Sequence, residues 1–263
     1  HERKFPFRLH EFFNHMASSQ AANINLFLPI LNSARAEAVL RSVKPDIADI
    51  ARNELDRGYQ IEYYDKELNS LGDKNPKTGT DSDMAIAYYN YEGELCLWLI
   101  EHKLTEPGFT TCGGYASYRN KKKHQCESSF DQLLANKNLC YYHDKCGYQY
   151  WNLTEKEEGF FKNASEWKTC PFKGGMNQLW RNQLMGLAIE SSELPYKHVF
   201  FSVVHHPENH ALDKTIAEYK ELIGHNAKFS VFTSDKLVEG AKKQEMPSLN
   251  NWVNWYKELY RII

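Results

Sequence analysis

The chain has 263 residues, 42% of them hydrophobic and 25% charged, with a formal net charge of −2. This is an ordinary soluble composition, long enough for one large domain with a well-buried core or for two small ones. The charge balance excludes a protein that is basic all over, so any nucleic-acid contact has to come from a local patch.

No apolar run approaches the length of a bilayer, and the opening residues carry no signal-peptide pattern. The expectation is a cytoplasmic protein without a membrane partner, its six cysteines reduced. Residues 8–15 are aromatic and basic and suit a short helix. The cluster Ser18, Ser19, Gln20 then runs into an apolar segment, either as a helix cap or as part of an active-site wall. Residues 34–55 have helical periodicity broken at Lys44-Pro45. The second piece, 46–55, carries Ile47, Ile50 and Ala51 on one face and Glu54 on its last turn. Residues 59–64 read as the first strand and 65–79 as a polar loop.

Two strands follow, 84–90 and 95–100, joined by a turn at 91–94. The second is a nearly unbroken apolar run, as expected of a strand covered on both faces. Asp83, with Asp81 beside it, opens the first strand, and Glu101 closes the second, so a hairpin brings these acids together. Strand side chains alternate, which puts Glu101 and Lys103 on one side and His102 on the other. Two neighbouring carboxylates repel unless a cation or a proton sits between them. Oxygen ligands suit Mg²⁺ or Mn²⁺, and a lysine beside such an ion can orient a water and steady charge on a phosphate. That is the chemistry of metal-assisted phosphodiester hydrolysis.

Downstream the chain turns irregular, and an insertion is expected over about 106–173. Its one basic cluster, Arg119, Lys121, Lys122 and Lys123, reads either as a solvated loop or as a phosphate clamp. Five of the six cysteines, Cys112, Cys126, Cys140, Cys146 and Cys170, lie in or at the edge of it, whereas Cys96 sits in the apolar strand. A structural zinc or an iron–sulfur cluster could staple such a segment, although the spacings fit no standard pattern and Cys-x-x-Cys is absent.

Residues 173–190 form the second long helix, with an apolar stripe through Leu179, Trp180, Leu184 and Leu187. Gln178, Arg181 and Asn182 make a separate polar ridge near its start. A buried strand at 198–206 ends in His205 and His206, of which at most one could face the site. A helix at 211–223, a strand at 228–233 and a terminal helix at 248–260, with Trp252, Trp255 and Leu259 inward, complete what reads as one α/β domain.

The Asp, hairpin, Glu-x-Lys pattern resembles the PD-(D/E)xK nuclease superfamily. Ser18-Ser-Gln, Ser82-Asp-Met-Ala-Ile, Ile100-Glu-His-Lys-Leu-Thr-Glu106 and the run Asn177-Gln-Leu-Trp-Arg-Asn-Gln-Leu-Met-Gly-Leu-Ala188 are similar to its restriction-endonuclease branch. The resemblance implies a restriction-endonuclease-like αβββαβ core, a central mixed sheet flanked by helices, with the cysteine insertion and C-terminal βα additions. It implies that Asp83, Glu101 and the backbone carbonyl of His102 bind Mg²⁺ or Mn²⁺, that Lys103 positions the attacking water, and that Gln178 sits beside them. Glu54 would supply the acid of the first helix, and Asp81 competes with Asp83. Two positions depart from the pattern: Ser82 stands where the family has proline, and Asn182 where a tyrosine is usual.

The implied activity is metal-dependent DNA cleavage in restriction or defence against foreign DNA, as a homodimer or with a partner protein. Ser18, Ser19, Gln20, Arg119, Lys121, Lys122, Lys123, Arg181 and Asn182 are the candidate DNA contacts. The competing readings are a nuclease fold kept for DNA binding or assembly, and a regulatory protein organised by zinc or an iron–sulfur cluster.

Overall fold

The structure, a computed structural model, describes residues 7, 9–65, 68–73, 79–224 and 226–262. Part of the polar loop expected at 65–79, and Arg8 of the short helix expected at 8–15, therefore lie outside the described residues. Residues 11–17 are turns rather than a helix. Their backbone closes three-residue bonds such as Phe13 N to His10 O, while the His10 N–H is taken by Gln20 Oε1 at 2.9 Å.

Helix α1 spans Ser19–Leu31. Ser18 is its N-cap, in extended geometry, and its Oγ accepts from Ala21 N at 3.2 Å. The cap satisfies one of the donors that a helix start leaves unpaired. Ser18→Ala should cost about 1 kcal/mol, read as a lower urea midpoint at unchanged slope.

The short α2, Ala36–Leu40, is followed not by the helix expected at 46–55 but by a two-residue strand, β1, Asp49–Ile50. The reason is where the backbone groups go. Ala48 N and Ala51 N donate to Tyr89 O and Ala87 O at 2.9 Å, and the Arg41 guanidinium takes the Ile47 and Ala48 carbonyls at 2.6 and 2.7 Å. Sheet bonds and an arginine fork leave nothing for a helical ladder.

Strands β2 (Tyr59–Tyr63), β3 (Ser82–Tyr89) and β4 (Leu95–Lys103) come next. The β3–β4 turn is held by Asn90, whose Oδ1 accepts from Glu92 N and Glu94 N, and by Gly93 at φ +77°, a conformation glycine adopts freely. The insertion contributes short helices: α3 Gly113–Ala116, α4 Phe130–Ala135, α5 Tyr141–Asp144 and α6 Tyr150–Lys156. Then follow α7 Met176–Glu190, β5 His198–His205, α8 Asp213–Ile223, β6 Phe229–Thr233, α9 Ser234–Lys242 and α10 Pro247–Tyr260.

The six strands form one mixed sheet in the order β1-β3-β4-β5-β6, with β2 also on β3. Pairing is antiparallel from β1 and β2 to β4 and parallel from β4 to β6. Alternation along the strands gives two cores. Ala85, Ala87, Leu97 and Leu99 face α7, α8 and the insertion, while Met84, Ile86, Trp98 and Ile100 face α1, α2, α9 and α10. The insertion is anchored by aromatic packing, with Phe172 stacked on Trp180 of α7 at 3.9 Å between centroids. Cys96 is fully buried in the second core.

One inward residue of the terminal helix is misplaced by the sequence reading. Trp252 is buried, but Trp255 is 46% exposed. Trp252, Tyr256, Leu249 and Val253 define the packed stripe of α10, and Trp255 falls more than a quarter-turn off its centre.

Candidate active site

The strand registers decide which side chains meet. Ile61 pairs with Met84 and Tyr63 with Ser82, so Glu62 stands opposite Asp83. Met84 pairs with Ile100, and one step further Asp83 stands opposite Glu101. Asp83 and Glu101 thus face each other across β3 and β4, while Glu62, at φ +52°, breaks the alternation of β2 and adds a third negative charge to their surroundings. Like charges directly opposite one another on a sheet are destabilising. Asp83 and Glu101 share the phase of Ala85, Ala87, Leu97 and Leu99 and so lie on the α7 side, as does Lys103.

Glu101 is 4% exposed and Lys103 8%. The Lys103 ammonium lies 2.8 Å from Glu101 Oε1, which also accepts from Gln178 Nε2 at 2.6 Å. Asn182, one helical turn beyond Gln178 on α7, donates to Glu101 Oε2 at 3.1 Å and to Asp81 O at 3.0 Å. The residue that departs from the family's tyrosine therefore still grips the acid. Gln178 Oε1 accepts from Thr110 N at 2.8 Å, tying the chain beyond β4 to the same centre. Asp83 Oδ2 accepts from the His102 N–H at 2.6 Å, and the Asp83 carbonyl takes Asn23 Nδ2 of α1 at 2.9 Å.

The electrostatics follow from this crowding. Burial, then Glu101 and Glu62, push the Asp83 carboxyl well above the ordinary range, against Lys103 and the His102 N–H. Asp81 is exposed, and desolvation, Glu62 and Glu101 raise its carboxyl against the pull of Arg181 and His10. Burial opposes the charge on Lys103, but Glu101 and Asp83 outweigh it and hold the ammonium above the usual lysine range. His102 is on the opposite face, where burial pushes its imidazole down to about 3 and keeps it neutral.

The site thus gathers Glu62, Asp81, Asp83 and Glu101 around one contacting ammonium. Oxygen donors with excess negative charge fit a hard divalent cation such as Mg²⁺ or Mn²⁺. Among the described residues no group of three or more His, Cys, Asp or Glu side chains stands at ligand spacing. The smaller set that could hold such an ion is Asp83, Glu101 and the His102 carbonyl.

Other sequence candidates separate. Glu54 is not brought to this centre. It lies beside Tyr196, just before β5, at the end of the sheet opposite Glu101. The further acid acting on Asp83 is Glu62, which Gln20 Nε2 of α1 holds at 2.8 Å. Glu62 escaped notice because a lone acid in a short strand carries no signal until that strand is registered against Asp83. Arg181 reaches Gly79 O at 3.3 Å and faces Asp81. Ser19 is half-buried in the first turn of α1.

Arg119, Lys121, Lys122 and Lys123 are exposed. Three of them fold back on their own loop, Arg119 to Tyr118 Oη, Lys121 to Tyr118 O and Lys123 to Ala116 O. His206 is bonded to Tyr260 O and His205 to His206 O. No described helix is long and apolar enough to cross a membrane.

In the comparison with protein families, the chain matches the family described as restriction endonuclease associating with ARP, over residues 1–261. The chain belongs to that family. The family is restriction-endonuclease-like, and the central mixed sheet flanked by helices fits such a core. No curated protein and no solved structure matches the chain.

Proposed function

We propose that this restriction-endonuclease-family chain is a cytoplasmic, Mg²⁺- or Mn²⁺-dependent DNA endonuclease of PD-(D/E)xK type, acting in defence against foreign DNA. The observation that carries the reading is the meeting of Asp83, Glu101 and Lys103 at the α7-facing end of the β3–β4 hairpin. Asp83, Glu101 and the His102 carbonyl would hold the cation. Bound there, it supplies a Lewis acid for the scissile phosphate and a water made acidic by its charge.

The remaining work belongs to the chain's own groups. Glu101 and Asp83 hold the Lys103 ammonium above the usual lysine range, which suits it to orienting water and placing positive charge beside the phosphate. Gln178 and Asn182 fix both oxygens of Glu101, which leaves the carboxylate one orientation. Arg181 and the exposed lysines at 121–123 are the proposed contacts with the DNA backbone. Cutting both strands calls for two such centres, supplied by a homodimer, and the family description makes an ARP protein the proposed partner.

The test is incubation with plasmid and linear DNA, modified and unmodified, with Mg²⁺ or Mn²⁺ and with EDTA. Cation-dependent cleavage is expected. Cleavage that persists in EDTA would reject this site, and no cleavage on any substrate, alone or with the ARP partner, would reject the activity. In the same assay Gln178→Ala should lower the turnover rate by about tenfold or somewhat more, the scale of lost positioning at an intact centre.

A further inference from the structure

The insertion contains a second constellation that the nuclease reading does not use. Cys112, Cys126, Cys140 and Cys170 come from four separate segments, yet all four line one cavity between the insertion and α7. Cys146 is exposed and is not part of the lining. None of the six cysteines is in a disulfide.

The walls of this cavity carry polar groups with nothing to bond. Asn177, at the start of α7 and 1% exposed, has neither its side-chain nitrogen nor its oxygen paired among the described residues. The indole N–H of Trp151, 2% exposed, is likewise unpaired. Both residues line the cavity beside the thiols. Leaving buried polar groups unsatisfied costs about 1–3 kcal/mol each, so these groups call for a partner inside the cavity, a water or a bound guest. One sulfur is itself addressed by a donor: Tyr115 N points at Cys112 Sγ at 3.4 Å. N–H groups aimed at sulfur are the outer shell that thiolate–metal centres require.

We infer that Cys112, Cys126, Cys140 and Cys170 are the ligands of a thiolate-held metal centre, an iron–sulfur cluster in preference to a single zinc ion. Among the described residues no three of these thiols stand at the spacing of a single ion, so the choice rests on hydrogen bonding. A cluster brings bridging sulfides, which give the Asn177 and Trp151 N–H groups acceptors that a bare zinc ion lacks. The centre would staple a segment that has only short helices of its own to the side of α7 bearing Trp180. Ligation releases the thiol protons and changes no oxidation state of the protein.

The test uses the full chain purified without oxygen, analysed for iron, zinc and acid-labile sulfide and by its visible spectrum. The expectation is iron and sulfide in equal, stoichiometric amounts and a broad sulfur-to-iron absorption, retained in Cys146→Ser and lost in Cys126→Ser or Cys140→Ser. Stoichiometric zinc lost in the same two variants would overturn the cluster and keep the four-thiol site. Absence of both metals, or metal that survives in both variants, would overturn the site.

A second readout covers variants that fail to fold. In the native wild-type protein, iodoacetamide should label Cys146 and spare the four ligands until a chelator strips the metal. Equal labelling with and without the chelator would also overturn the site. None of these readouts depends on DNA cleavage, so this inference and the nuclease proposal stand or fall separately.

Discussion

Lys103→Ala is expected to lower the single-turnover rate of Mg²⁺-dependent DNA cleavage by about two to three orders of magnitude, the scale for loss of one preorganised electrostatic group. The argument is positional. The ammonium is almost fully buried, 2.8 Å from Glu101, and its charge is held by Glu101 and Asp83 against the opposing effect of burial. A lysine so placed brings a fixed positive charge to the point where negative charge builds on the phosphate, and water cannot replace it without reorganising. DNA binding, measured by gel shift in Ca²⁺, should change far less than the rate. Lys103→Arg should recover only part of the activity, because a planar fork does not reproduce a compact ammonium. Equal losses in binding and rate would assign Lys103 to DNA docking instead.

Asp83→Asn should separate activity from stability in opposite directions. Cleavage should fall by about three orders of magnitude or more, because the proposed cation loses one of its two anionic side-chain ligands. The metal-free protein, held in EDTA, should become more stable by about 0.5–2 kcal/mol, the range typical of relieving a strained functional site. Asparagine can still accept from the His102 N–H, and it removes a carboxyl whose charged form burial, Glu101 and Glu62 disfavour, so the gain should be largest at a pH where Asp83 is ionised. The cation provides a third measurement. Millimolar Mn²⁺ should raise the wild-type melting temperature by binding only the folded state and should leave that of Asp83→Asn nearly unmoved. A variant less stable than wild type in EDTA would mean that the acids are compensated in some way other than by a cation.

Much of this site could be read before any coordinates. Asp83, Glu101 and Lys103 were legible because a hairpin with a short turn has almost no freedom in register, so sequence distance converts directly into spatial distance. Gln178 was expected beside them from the resemblance to PD-(D/E)xK nucleases, and it does reach Glu101. Glu62 was not, because β2 joins β3 across residues 64–81, a connection long enough to leave the register open. Helical periodicity at 46–55 was real in the pattern of Ile47, Ile50 and Ala51, but the edge of β3 offered those backbone groups better partners. Helix α9 went unread because its nine residues follow β6 without a loop, so no turn signal separates the two.

By itself, then, the sequence determined what is local. The hairpin, the phase that puts Glu101 and Lys103 on one face, the long amphipathic helices and the buried parallel strands all follow from periods of two and 3.6 residues and from the turns between them. Only the tertiary structure decided what is remote: which third acid acts on Asp83, that Asn182 grips Glu101, and that four cysteines scattered over 59 positions from Cys112 to Cys170 share one cavity. The physical reason is chain entropy. Closing a loop costs only logarithmically with its length, so distant residues meet wherever the packing of the two cores places them, and no local pattern records that choice.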